Sequence, residues 1–96
     1  MTLCVIGYTW CTYFQATCTM LENSKVPFRK IIVVDRMKLK SYIRQLLKDK
    51  IVKGVYGATS PQIIRKDASK IVCIGGHDEL CSIGVENVLN WEPLTF

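Results

Sequence analysis

The chain carries five cysteines, Cys4, Cys11, Cys18, Cys73 and Cys81, and a single histidine, His77. Thiolates are nucleophiles, so thiol chemistry is the first to weigh. The stretch YTWCTYFQATC, residues 8–18, sets Cys11 between an apolar, strand-like opening and a helical pattern. A sulfur there lies near unpaired backbone N–H groups and the positive end of a helix dipole, which favour the thiolate over the thiol. Comparable sites have a pKa of roughly 3.5 to 7.5 in place of about 8.5. Each unit is about 1.4 kcal/mol of preference for the anion. A thiolate so placed attacks disulfides. The residues alone leave a second reading open, in which Cys11 is a small buried hydrophobe, as free cysteines often are.

The other cysteines offer less. Cys18 stands seven residues beyond Cys11, roughly 10 Å along a helix axis, whereas a disulfide needs Cα atoms within about 7 Å. The two cannot pair without unwinding the helix. Cys4 falls inside the first apolar run, and Cys73 and Cys81 fall near the last strand and helix, so all four are expected as packing residues. Zinc asks for four ligands of better geometry than Cys73, His77 and Cys81 offer, and no metal site is expected. An odd, irregularly spaced set of cysteines is a poor secreted disulfide framework, which leaves free thiols.

A length of 96 residues suits one domain, 1–96, with a single modest core. Hydrophobic residues at 49% and charged residues at 22% exclude disordered and collagen-like chains. No segment reaches the ~18 uninterrupted apolar residues of a membrane span, and the opening MTLCVIGYTW lacks the basic start of a secretory signal. The expectation is a cytoplasmic protein with no membrane partner. The net charge of +5 is uneven: residues 25–53 carry +8 and the remainder −3. Such a segment is a solvated helix face and loop, or a grip for a small anion. No nucleic acid partner is expected, because the aromatics are scattered and not interleaved with the basic residues as a stacking groove requires.

Periodicity supplies the elements that must position Cys11. TLCVIG, 2–7, is a short apolar run suited to a buried strand. Thr9 or Thr12 is placed to cap a helix whose apolar positions Tyr13, Ala16, Met20 and Leu21 recur before Pro27. FRKIIVVD, 28–35, is rich in β-branched residues and reads as a second strand. Leu39, Tyr42, Ile43, Leu46 and Leu47 mark one face of an amphipathic helix, with Lys40, Arg44 and Lys48 on the other. A loop bearing Gly and Lys follows. PQIIRK, 61–66, and SKIVCIGG, 69–76, read as two strands about a KDAS turn. Asp78 and Glu79 begin a last helix, where carboxylates suit the positive end of the dipole, and Gly84 stands where it would shorten or break. A βαβ start with a closing hairpin implies a small mixed sheet with helices on both faces, an α/β fold.

Taken together, YTWCTYF, TSPQI at 59–63 and IGGHDEL at 74–80 resemble the glutaredoxin family, whose members carry a CPYC-type or one-cysteine site, a TVP segment and a GG-x-D-D/E-L helix start. The resemblance covers residues 2 to about 83 with the three motifs in family order. It implies a thioredoxin-like, four-stranded mixed sheet (βαβ then ββα) and assigns roles by position. Cys11 is the implied nucleophile, and Tyr13 the aromatic lining a glutathione groove. Pro61 is the implied cis-proline facing Cys11, and Ser60 offers its backbone to the cysteinyl part of glutathione. Gly76, His77 and Asp78 would hold the γ-glutamyl end, a carboxylate at a helix start and an ammonium beside Asp78.

Departures from the family pattern shape the expected function. Phe14 replaces the second cysteine, so no intramolecular CxxC disulfide forms. Tyr8 stands where Lys or Arg is common, and Lys50 and Lys53 are expected to grip the glycyl carboxylate instead. Thr12 replaces the usual proline, and Trp10 resembles the aromatic of thioredoxins that shields the sulfur. The resemblance therefore implies a glutathione-dependent thiol-disulfide oxidoreductase of monothiol type. Glutathione is its co-substrate, glutathionylated or disulfide-containing proteins are its partners, and the chain acts as a monomer. The alternative is a non-catalytic thioredoxin-fold module holding glutathione, an iron–sulfur cluster or a protein partner. Bulk at Tyr13 and Phe14 opposes the close approach that cluster ligation requires.

Overall fold

A computed structural model describes residues 1–93. The domain end expected at residue 96 lies outside the described residues. Five strands, β1 (Thr2–Gly7), β2 (Arg29–Ile32), β3 (Ile51–Lys53), β4 (Gln62–Lys66) and β5 (Lys70–Gly75), and three helices, α1 (Thr12–Asn23), α2 (Arg36–Leu47) and α3 (His77–Ile83), follow one another as β1α1β2α2β3β4β5α3. The sheet order is β2-β1-β4-β5-β3. β1 runs parallel to β2, with Cys4 opposite Arg29 and Gly7 opposite Ile32, and antiparallel to β4, with Val5 opposite Ile63. β4 and β5 form the closing hairpin.

Alternation along the inner strands feeds two cores, because successive strand residues point to opposite faces. Leu3 and Val5 of β1, Ile63 of β4, and Val72 and Ile74 of β5 join Phe14, Cys18 and Leu21 of α1 and Leu80 of α3 on one side. Ile6, Ile64 and Ile71 meet Leu39 and Ile43 of α2 on the other. β1 and most of β5 therefore read as continuous apolar runs, since both faces are covered, whereas β4 is apolar only at Ile63 and Ile64.

Two expectations change. Among the described residues the sheet has five strands and not four: Ile51–Lys53, expected as loop, pairs in parallel with β5 at the sheet edge. Ile51 and Val52 are exposed, so the segment shows no burial rhythm, and the free edge of β5 makes it a strand. The strand expected over 28–35 shortens to Arg29–Ile32. Val33 N–H still reaches the Gly7 carbonyl at 2.9 Å. Asp35 then leaves the strand to cap α2, its side chain accepting from Lys38 N–H at 2.8 Å.

Arg65, 2% exposed, is a cation inside this apolar assembly. Its guanidinium donates to Asp67 at 3.1 Å and to the carbonyls of Val88 and Trp91 at 2.9 and 2.7 Å. A buried charge persists only when paired and hydrogen-bonded, and here the pairing ties the turns after α3 to the sheet.

Ile64→Ala, at a position 1% exposed, is expected to lower unfolding free energy by about 2–5 kcal/mol in urea denaturation. Val34→Ala, at a position 73% exposed, should stay within about 0.5 kcal/mol of the parent.

Candidate functional site

The site forms where β1 ends, α1 begins and the chain enters β4. After Gly7, Tyr8 N–H donates to Ser60 Oγ at 3.1 Å, which fastens the end of β1 to the segment before β4. A methyl group at Gly7 would run into the Phe14 ring and Ser60 Oγ. Gly7 therefore permits the close approach that brings the two segments together. The turn is closed by Cys11 N–H on the Tyr8 carbonyl at 3.1 Å, and the first helical bond runs from Gln15 N–H to the Cys11 carbonyl, also 3.1 Å. Cys11, and neither Thr9 nor Thr12, is thus the residue that starts α1, with extended backbone at φ −80° and ψ 120°.

Cys11 is half-buried, and its Sγ lies 3.5 Å from the Ser60 carbonyl oxygen. The Ser60–Pro61 bond is cis, as expected for Pro61. As a thiol, Cys11 donates to that carbonyl. Burial pushes its pKa up, but hydrogen bonds from the Ser60 side chain and from the Phe14 and Tyr13 backbone N–H groups outweigh burial and set the pKa below its ordinary value. Ser60 Oγ accepts from Tyr8, which leaves its own proton free to donate. Local dipoles accordingly favour the anion.

The other thiols divide. Burial pushes up the pKa of Cys4, Cys18 and Cys73, which agrees with packing roles. Cys81 is exposed, which corrects its expected role as a packing residue: it sits on the outer face of α3, whose inner face is carried by Leu80.

Beside Cys11 runs a groove of about 350 Å³ lined by Tyr13, Thr59, Ser60, Pro61, Gly76, His77, Asp78 and Glu79. It falls in the range of small-molecule sites. The structure thus brings together six of the expected ligand residues, Tyr13, Ser60, Pro61, Gly76, His77 and Asp78. Tyr13 is 62% exposed, and its ring centroid lies 5.9 Å from that of His77. Gly76 N–H is already taken by Glu79 Oε1 at 2.8 Å, so the free donors at this end are the N–H groups of the first turn of α3, which have no intrahelical partner.

Lys50 and Lys53 are not part of this lining. Lys53 belongs to β3, opposite Val72, and its charge acts on Glu92. The strand that sequence periodicity does not reveal carries it along the sheet edge.

One supporting residue escapes sequence reasoning. Gln62 is buried; its amide accepts from Gly57 N–H at 3.0 Å and donates to the Thr59 carbonyl at 2.8 Å, so it shapes the loop that presents Ser60. Phe14, three residues after Cys11, is 3% exposed and packs in the core, so its side chain faces away from the sulfur's groove.

The chain superposes on the crystal structure of glutaredoxin 1 from Francisella tularensis complexed with cacodylate, with a TM-score of 0.66 and 21% sequence identity over 94% of this chain and 98% of that one. The likeness establishes a thioredoxin-like α/β fold. No protein-family model and no curated protein sequence matches the chain.

Alkylation of Cys11 followed against pH should give a midpoint below the ~8.5 of an unperturbed thiol. Ser60→Ala and Gly7→Ala should both move it upward; an unchanged midpoint in Ser60→Ala would remove the hydroxyl from the account. The sign carries into stability. A depressed folded-state pKa contributes stability that is fully present above the unfolded value and is lost as pH falls through the folded value. Cys11→Ser should therefore lose most relative to the parent in alkaline solution.

Proposed function

We propose that the chain is a glutaredoxin-like thiol-disulfide oxidoreductase that uses glutathione and works by a one-cysteine route. The observation that carries this reading is the Cys11 sulfur 3.5 Å from the Ser60 carbonyl, its pKa lowered, beside a groove that Ser60 itself helps to line. The fold shared with a glutaredoxin supports it.

In the proposed reaction the Cys11 thiolate attacks the glutathionyl sulfur of a mixed disulfide. The new bond joins Cys11 to glutathione, the old disulfide bond breaks, and the substrate leaves as a thiolate that takes up a proton. A second glutathione thiolate then attacks the Cys11-bound sulfur, releasing glutathione disulfide and restoring the Cys11 thiolate. Neither step uses a second protein thiol, so the burial of Phe14 at the adjoining position does not obstruct it. Ser60 orients the cysteinyl part of glutathione through its backbone, Tyr13 covers one wall, and Asp78 faces the ammonium at the α3 end. Partners on this reading are glutathione and proteins carrying glutathione or disulfides, and the setting is the cytoplasm.

The test is glutathione-dependent reduction of the mixed disulfide between glutathione and 2-mercaptoethanol. The parent should turn over and Cys11→Ser should fall to the uncatalysed rate; equal rates would end the proposal. Asp78→Ala should raise the KM for the mixed disulfide about two- to five-fold, as suits an exposed ion pair worth under about 1 kcal/mol. Replacing both Lys50 and Lys53 by Ala should change that KM less than Asp78→Ala does, because neither lysine borders the groove.

A further inference from the structure

Cys81 does not stand alone on α3. One turn earlier on the same helix face, His77 Nε2 lies 3.5 Å from Cys81 Sγ, and the opposite ring nitrogen, Nδ1, lies 2.9 Å from Thr17 Oγ1 of α1. Thr17 is fully buried, so its hydroxyl is a fixed point against which the imidazole is held. In the tautomer with the proton on Nδ1, that N–H donates to Thr17 and the lone pair of Nε2 faces the Cys81 thiol. A nucleophile, a base in reach of its proton and a third group orienting the base make up the arrangement that activates thiols. Cys81 is exposed, whereas Cys4, Cys18 and Cys73 are buried, so it is open to a reagent in solution.

We propose that Cys81 is a second thiol-disulfide exchange site, one that accepts half of a low-molecular-weight disulfide, with His77 as its base and Thr17 as the residue that positions His77. Nε2 takes the Cys81 proton as the sulfur attacks one sulfur of the incoming disulfide. A Cys81–S bond forms and the disulfide bond breaks. Cys81 is oxidised to the mixed disulfide, and the departing sulfur is reduced and leaves as a thiol with the proton returned by His77. Cys11 takes no part, so this chemistry stands or falls separately from the reaction proposed above. His77 also lines the groove, so one imidazole borders both sulfur sites.

The experiment uses the full chain carrying Cys11→Ser, treated with excess glutathione disulfide at neutral pH, with the modified residue located and its rate followed by peptide mass spectrometry. An unassisted thiol is only a few per cent ionised there, so a base in contact with it can raise its rate by about ten-fold or more. Glutathione should appear first on Cys81. The rate should fall about ten-fold in His77→Ala and in Thr17→Val, while Thr17→Ser, which keeps the hydroxyl, should retain it. Should His77→Ala fail to fold, the comparison of Thr17→Val with Thr17→Ser decides the matter. Equal rates at Cys81 across these proteins would reduce it to an ordinary exposed thiol and overturn the proposal, as would first modification at Cys4, Cys18 or Cys73, or none at all.

Discussion

The site depends on Ser60 meeting two partners at once. Its hydroxyl accepts the Tyr8 N–H at the end of β1, and its carbonyl lies against the Cys11 sulfur at the start of α1. The first contact holds the strand ends together; the second places a backbone acceptor beside a group that ionises. Both require the main chains to come closer than side chains ordinarily permit, and Gly7 supplies the space, since a methyl there would strike Ser60 and Phe14 together. Groove, thiol and helix start are thus aspects of one close contact between β1 and the entry to β4.

Around that contact the fold is ordinary and strongly determined. The inner strands β1, β4 and β5 send alternate residues into two cores, so a one-residue slip of β1 would exchange the environments of Val5 and Ile6 and carry Gly7 away from Ser60. Fidelity of register and geometry of the site are the same constraint. Arg65 adds a polar tie within this assembly, its guanidinium joining β4 to the backbone at Val88 and Trp91.

Phe14 acts through packing. At the position where a second cysteine would complete a redox pair, the ring lies in the core with Cys18 and Leu21. It contributes to stability there, while its backbone N–H is among the groups that lower the Cys11 pKa. Local dipoles favour one anionic sulfur at the start of α1, and no CxxC partner stands beside it. The tripartite contact of Thr17, His77 and Cys81 lies across the α1–α3 interface, where no single-helix pattern would reveal it.

Much was legible in the sequence because it is local. Apolar rhythm located β1 and α2 closely, since periods of two and near four follow from backbone geometry alone, and the carboxylates after the glycine pair located α3. α1 was found but with the wrong face, because Tyr13 and Ala16, expected among its apolar positions, are exposed while Phe14, Thr17, Cys18 and Leu21 are buried. The words around Cys11, Pro61 and Asp78 marked one wall each of the groove that the structure assembles. Long-range pairing was not legible. Ile51–Lys53 is a strand because β5 offers a free edge, Lys53 is carried from the groove by that pairing, and Cys81 is exposed because Leu80 is the residue of α3 that turns inward. Residue types and spacing determined which chemistry the chain can perform. Only the tertiary structure decided which groups meet, because hydrogen bonds and burial act between residues that sequence order keeps far apart.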